Sequence, residues 1–400
     1  MGGLLRGHDE LQFLETRLRE IFSTWTVDCT NMEKENWFDI EFDKALKDLN
    51  PKASTGLSAM SVYGADIGTA LRRDPVTLEY DPQRVSVLRH WSRMRMDDPE
   101  HPDPILAFVK PEPHSLQKLE EGRLRIISAV SFVDTMVDRV CFGWLNRRVL
   151  ATVGSTPVLI GWNPYQGGYR LLLSRFGGEP AMCLDRSAWD WTVQHWLLEV
   201  VCRLIHNLAL DAPVWWHEWL DARWKALFCD AVFGFRDGLR VRQPGWGVMK
   251  SGCYLTILIN SVSQVCLHLL ACRRMKIPAH LDQFFAMGDD TIQKVVEDVD
   301  TYVSHLEAMG AKLKKPYVSD EYEFCGHRIK GISLVPAYTR KHVFKIRTEP
   351  KATLPAVLQS YQWAYVHNLE MWEWLCKLMR ELAPAMRRTR HEALTLVHDE

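Results

Sequence analysis

The chain has 400 residues and a mass of 46.3 kDa, with 47% hydrophobic and 25% charged residues, a balance that excludes disordered and collagen-like classes. Its 49 Lys and Arg are offset by 50 Asp and Glu, so nucleic acid is not held by bulk positive charge and any such binding must come from local patches. Residues 1–20 mix Arg, His, Asp and Glu with the leucines; without an uninterrupted apolar core no signal peptide is expected, and the chain is expected to stay where it is translated.

Apolar residues recur at helical spacing over 9–22 and 37–49, and Pro51, Gly56, Gly64, Gly68 and Pro75 then interrupt the pattern. The first hundred residues therefore predict helices joined by long loops. Pro102, Pro104, Pro111 and Pro113 bracket the apolar run 105–109, a predicted strand. A helix is expected over 130–150. Glycines punctuate residues 154–178, and a short apolar strand predicted over 181–184 ends in Asp185. Helical patterns follow over 191–210 and 214–228. The second places Trp215, Trp216, Trp219 and Trp224 close to one face; a base-stacking platform is conceivable, but a packed aromatic core is the expected reading.

The apolar stretch 253–272 carries Thr256, Asn260, Ser261, Ser263, Gln264 and His268, which a bilayer-spanning helix rarely holds together, so a buried helix and no transmembrane segment are predicted. The ten cysteines show no Cys-x-x-Cys pair and no repeated spacing, which points to reduced thiols and away from a zinc site. Residues 283–296 predict two strands joined across Gly288, Asp289 and Asp290, a hairpin with two acids at its tip. Beyond it, 303–309 is expected to be helical, 323–332 and 343–346 extended, and 354–396 mostly helical with a break at Pro384.

Catalysis by two divalent ions needs carboxylates from separate elements at one point, because ions roughly 3.5–4 Å apart repel unless several oxygens surround them. Two places qualify: Asp185 with Asp190, and Asp289 with Asp290. A Gly-Asp-Asp turn alone says little, since Gly and Asp are ordinary turn residues; its pairing with Asp185 gives it meaning. Magnesium prefers hard oxygens and uses one or two carboxylates beside waters and phosphates, a role that fits Asp185 and Asp289. Asp190 either belongs to the same site or caps the helix that begins near 191. Between the acids, Thr256 and Asn260 lie one turn apart and share a helix face. A buried Asn needs a partner, which could be a substrate hydroxyl, Asp190 or a group within the core.

In combination and in order, these motifs resemble those of the viral RNA-dependent RNA polymerases over about 110–327. Lys110, Pro111 and Glu112 with Arg123, Leu124, Arg125 and Ile126 resemble the basic fingers motif that neutralises the incoming triphosphate. Asp185 with Asp190 resembles the first palm motif, and Ser251 and Gly252 with Thr256 and Asn260 the second. Gly288, Asp289 and Asp290 resemble the third, residues 310–316 with Lys312, Lys314 and Lys315 the fourth, and Phe324, Cys325, Gly326 and His327 the fifth. The likeness is to the sobemo-like positive-strand viruses in three runs: Lys-Pro-Glu-Pro-His at 110–114, Met-Gly-Asp-Asp at 287–290 and Glu-Phe-Cys-Gly-His at 323–327.

The resemblance implies an α+β right-hand polymerase of palm, fingers and thumb, with an antiparallel palm sheet flanked by helices. An N-terminal extension and fingers would take 1–180 (basic motif at 110–127), the first palm motif 181–210, a fingers insertion 211–245, the rest of the palm 246–345 and a small helical thumb 346–400. It implies RNA synthesis on an RNA template from ribonucleoside triphosphates, with Mg2+ as cofactor and Mn2+ able to substitute, and pyrophosphate released. Asp185, Asp289 and Asp290 would hold the ions; Lys110, Lys118, Arg123 and Arg125 would grip phosphates. Ser251, Gly252 and Thr256 would help bind the nucleotide, with Asp190 and Asn260 at the ribose 2′ hydroxyl, and Lys314 or Lys315 would protonate the leaving pyrophosphate. The implied partners are the RNA template, the nascent strand, a viral protein primer and other replication proteins, in membrane-associated complexes of the host cytoplasm. From 312 to 347 nine basic residues face three acids, a local excess suited to phosphate contact. Reverse transcriptases carry an aromatic where Asp190 stands and usually another before the acidic pair, which Met287 and Gly288 do not match. A non-catalytic RNA-binding relative would be expected to lose an acid, and all three are present.

Overall fold

The computed structural model describes residues 4–399. The acids are carried by a four-stranded sheet ordered Tyr317–Ser319, Ala181–Leu184, Asp290–Lys294, Phe284–Met287, antiparallel at every step. Ala181–Leu184 is buried along its whole length, which is why it reads as an unbroken apolar run rather than an alternating one. Its register pairs Leu184 with Thr291, so the chain leaves this strand at Asp185 beside the point where the neighbouring strand begins at Asp290. Expected together at the hairpin tip, the two acids separate. The turn closes between Met287 and Asp290, leaving Gly288 and Asp289 as the loop and Asp290 as the first residue of the return strand. Gly288 has φ 65°, the left-handed backbone that a glycine-first two-residue turn requires.

The helix Thr256–Met275 packs on this sheet and is buried at every residue from Leu258 to Cys272, as the polar-spotted apolar stretch predicted. Among the described residues it is the one helix long and apolar enough to cross a membrane, and 83% of its apolar window is buried inside the protein. Its serines turn inward on their own backbone, Ser261 Oγ donating to the Ile257 carbonyl at 2.6 Å and Ser263 Oγ to that of Ile259 at 2.7 Å.

A second four-stranded sheet, ordered Ile126–Ala129, Ile105–Val109, Val232–Gly234, Arg240–Arg242, pairs Val109 with Ile126. That register sets Lys110 against Arg125, whose carbonyl accepts the Lys110 amide at 2.8 Å. The chief hydrophobic cluster unites the N-terminal helices His8–Ile21 and Trp37–Lys47 with Phe132–Ala151, His195–Leu208 and Val214–Phe228. Three of the four tryptophans expected there are core: Trp216, Trp219 and Trp224 are buried while Trp215 is exposed, and the Trp216 indole donates to the Cys141 carbonyl at 3.0 Å.

Two local readings are corrected and one helix is added. The helix expected over 191–210 is broken into Trp189–Thr192 and His195–Leu208 by extended backbone at Val193 and Gln194. Pro82–Asp97, which the sequence reading assigned to no element, is a helix that buries only Leu88 and Ser92; with little apolar face its signal was the Asp81 cap, whose carboxylate accepts the Gln83 and Arg84 amides. Residues 343–346, expected to be extended, lie inside the helix Thr339–Thr348, which turns Ile346 inward to a separate C-terminal cluster with Leu358, Tyr365, Met371, Leu375 and Met379. Burial of one apolar residue against neighbouring helices outweighs a weak local preference for strand.

Candidate active site

The carboxylates of Asp185, Asp289 and Asp290 converge where the two middle strands of the first sheet meet the turn. Asp185 stays exposed and forms an ion pair with Lys314. The backbone fixes that pair: the Lys314 amide donates to the Asp185 carbonyl at 3.0 Å and the Ser187 amide to the Lys312 carbonyl at 2.8 Å. Lys315, next along the chain, is exposed and pairs with no acid among the described residues. The turn is pinned from behind, the Gly288 amide donating to Ser261 Oγ at 2.8 Å.

Asp290 accepts the Cys325 amide at 2.8 Å. Burial still pushes its carboxyl up to about 7, helped by the charges of Asp289, Asp185 and Glu323 and opposed by that hydrogen bond. Asp289 is also raised, first by burial and then by Asp185, with Arg186 and Arg125 opposing. Crowded carboxylates that repel one another in a half-buried place are a set of hard oxygen donors short of positive charge. Divalent cations fit that set.

Asp190 does not cap a helix. The cap position before Trp189–Thr192 is Ala188, held at φ 51°, and the Asp190 carbonyl instead accepts the Met249 amide at 2.7 Å. Its carboxyl is pushed up to about 6 by burial and by Asp289, with Arg125 opposing, so it belongs electrostatically to the acid group. Asn260 takes the core partner among those the sequence left open: its Oδ1 accepts the indole N–H of buried Trp189 at 2.8 Å. Thr256 and Asn260 lie on one helix, but the Thr256 hydroxyl donates to the Lys250 carbonyl at 2.6 Å, where it secures the helix start.

Ser251 and Gly252 dock on the second sheet. Ser251 Oγ accepts the Ser128 amide at 3.1 Å, and the Gly252 amide donates to the Ser128 carbonyl at 3.0 Å. A Cβ on Gly252 would lie 2.5 Å from that carbonyl oxygen, a contact that no side chain can make.

Of the four basic candidates, the structure brings Arg125 toward the acids and sets Lys110 beside it. Lys110 and Arg125 share Glu112, at 2.9 and 3.6 Å. Burial raises the Glu112 carboxyl, but Lys110, Arg125 and Lys341 together outweigh it and hold the group below its usual range. Arg125 alone also acts on both Asp190 and Asp289. Arg123 is held by Glu121, and Lys118 is exposed on the short helix Leu116–Glu120.

One feature of the site carried no usable sequence signal, and a second, the Cys325–Gly326 turn, was legible as a motif but not in the role it takes. Arg186, directly after Asp185, is buried, with Nε donating to Gln264 at 2.8 Å and Nη1 without a partner among the described residues. Cys325 and Gly326 form a two-residue turn between Phe324 and His327, both in left-handed backbone at φ 50° and 72°, and that geometry aims the Cys325 amide at Asp290.

Residues 38–372 match the family described as viral RNA-dependent RNA polymerase. The chain is 31% identical over 316 residues to Protein P1-P2 of Potato leafroll virus, covering 72% of this chain and 28% of that protein. It is 29% identical over 357 residues to the replicase polyprotein P2AB of Southern bean mosaic virus, covering 81% and 35%, and 31% identical over 258 residues to that of Cocksfoot mottle virus, covering 62% and 25%. The chain thus spans about a third or less of the length of these relatives.

Proposed function

Because the chain belongs to the viral RNA-dependent RNA polymerases, matched over residues 38–372, we propose that it extends an RNA strand on an RNA template, joining ribonucleoside monophosphates from triphosphates and releasing pyrophosphate. The family's right-hand fold accommodates the mixed helices and sheets. We assign the sheet of Ala181–Leu184 and its neighbours to the palm, the sheet holding Lys110 and Arg125 to the fingers, and the helices after residue 346 to a small thumb. The replicase names of two relatives support a part in viral genome replication, with the rest of such a polyprotein supplying a primer or further replication factors.

One observation carries the reading. The register of Leu184 with Thr291 sets Asp185 beside Asp290, with Asp289 in the adjoining turn, so acids distant in sequence share one point. Asp185, Asp289 and Asp290 would hold two divalent ions, Mg2+ or Mn2+. Bound there, such ions ease deprotonation of the 3′ hydroxyl and neutralise charge on the transferring phosphoryl group. Arg125 and Lys110 would bind the triphosphate, Arg125 through paired hydrogen bonds. Asp190 and the amide nitrogen of Asn260, whose oxygen is already taken by Trp189, would read the ribose, because a deoxynucleotide leaves those groups without a partner. Lys314, kept protonated by Asp185, would hold the proton for the departing pyrophosphate.

The test is incorporation of labelled ribonucleotide on a primed RNA template with Mg2+ or Mn2+, against Asp289→Ala and a parallel deoxynucleotide reaction. Metal-dependent product from ribonucleotides alone, lost in the variant, is the expected result. Product that survives Asp289→Ala would remove the acid site from the mechanism, and equal use of deoxynucleotides would remove Asp190 and Asn260 from sugar selection.

A further inference from the structure

Away from the acids, the helices His195–Leu208 and Val214–Phe228 bring together a group of another chemical kind. Cys202, His206 and Asp221 each offer one ligand atom, and these atoms all lie within 4.8 Å of one another. Cys202 and His206 are one turn apart on the first helix, and His217 and Asp221 are one turn apart on the second, so each pair shares a face. His206 Nε2 is 2.7 Å from Asp221 Oδ1, and the Cys202 sulfur is 4.0 Å from the same oxygen.

His217 supplies a second, independent observation. Its Nδ1 lies 2.8 Å from His206 Nδ1, with the two ring planes inclined by 21° and their centroids 5.0 Å apart. With one proton on His206 Nδ1 donated to His217, the proton that Nε2 shares with Asp221 at 2.7 Å would leave for solvent on metal binding and free the Nε2 lone pair for the ion. Metal-ligating imidazoles commonly have their second nitrogen fixed in this way.

We propose that Cys202, His206 and Asp221 bind one zinc ion, with His217 orienting His206 and water completing the coordination. Ligand distances of about 2.0–2.3 Å place the donors of a tetrahedral site roughly 3.5 Å apart. Rotation of Asp221, whose side chain is 69% exposed, would open its 2.7 Å contact with His206 and close its 4.0 Å contact with Cys202 toward that value, while Cys202 stays in the core. On binding, the Cys202 thiol gives its proton to solvent and its sulfur bonds to the metal. A sulfur, nitrogen and oxygen donor set selects zinc over magnesium, which separates this site from the all-oxygen acids. The ion would tie the two helices together beside Trp216. The absence of a Cys-x-x-Cys pair pointed away from zinc, because that rule does not see a single cysteine completed by residues from a second helix.

The experiment titrates the metal-stripped full chain with Co2+, reads the thiolate-to-cobalt charge-transfer absorption, then adds Zn2+ and records thermal unfolding. One equivalent should produce the band, and zinc should abolish it and raise the melting temperature. Asp289→Ala should leave the band intact. Cys202→Ser should eliminate it, Asp221→Asn should weaken cobalt binding at least about tenfold, and His217→Ala should weaken it about 10–100-fold with the band retained. A folded wild type without the band, or Asp221→Asn binding as tightly as wild type, would overturn the proposal. Asp221→Asn alters only an exposed group, so the test stands even if Cys202→Ser fails to fold.

Discussion

The backbone amide of Cys325 donates to Oδ2 of Asp290 across 2.8 Å, from a residue held in left-handed backbone at φ 50°. Such a conformation costs a side-chain-bearing residue about 1–2 kcal/mol, and here it aims a donor at a carboxylate of the acid cluster. Cys325→Val adds branching at Cβ where the backbone tolerates it least. It should lower the melting temperature by several degrees and reduce nucleotide incorporation. Cys325→Gly keeps the amide and relieves the strain, so its activity should remain near that of wild type. Thermal unfolding and incorporation rates on the two variants check this, and equal behaviour would show that the turn does not set Asp290.

Gly252 is required for space, since its φ is not left-handed and a Cβ would meet the Ser128 carbonyl. Gly252→Ala should cost about 1–3 kcal/mol through forced separation of the loop from the second sheet. Ser251→Ala removes only the acceptor for the Ser128 amide and should cost about 1 kcal/mol. Urea unfolding ranks the two, and the reverse order would contradict the packing argument.

Lys314 and Lys315 are indistinguishable by spacing, but only Lys314 pairs with Asp185. Lys314→Leu should reduce kcat on the order of 100-fold with little change in the KM for nucleotide, the pattern of a lost proton donor. Lys315→Leu should give the smaller loss. Steady-state incorporation kinetics decide it, and a larger loss at Lys315 would reassign the proton.

His268 is buried in the helix Thr256–Met275, with its ring stacked on Phe284 at 4.2 Å. Its Nδ1 lies 2.7 Å from the Tyr302 hydroxyl, and its Nε2 lies 2.6 Å from the Ala279 carbonyl. Burial pushes it down to about 4, with the charges of His280 and Arg186 adding to the effect and the Ala279 carbonyl opposing. The unfolded chain takes up this proton near the ordinary histidine value while the folded chain refuses it. Stability from this group is therefore complete above about pH 6.5 and falls as pH drops toward 4, by about 3 kcal/mol in all. Denaturant unfolding between these pH values should show the slope in wild type and a shallower one in His268→Gln; identical slopes would refute it.

What the sequence by itself determined was local. The apolar run ending at Asp185, the glycine-first turn at Gly288 and the buried helix with its polar spots are written in residue periodicity and turn chemistry, which act over a few neighbours. The tertiary structure decided which groups meet. Trp189 reaches Asn260 across 71 positions, Cys325 reaches Asp290 across 35, and Lys314 reaches Asp185 across 129. Partners at such separations are chosen by strand register and helix packing, and a one-residue slip of Leu184 on Thr291 would turn the side chains of that strand to the opposite face of the sheet. The same holds for Cys202, His206 and Asp221, which are unremarkable in sequence and become a donor set only when two helices fold side by side.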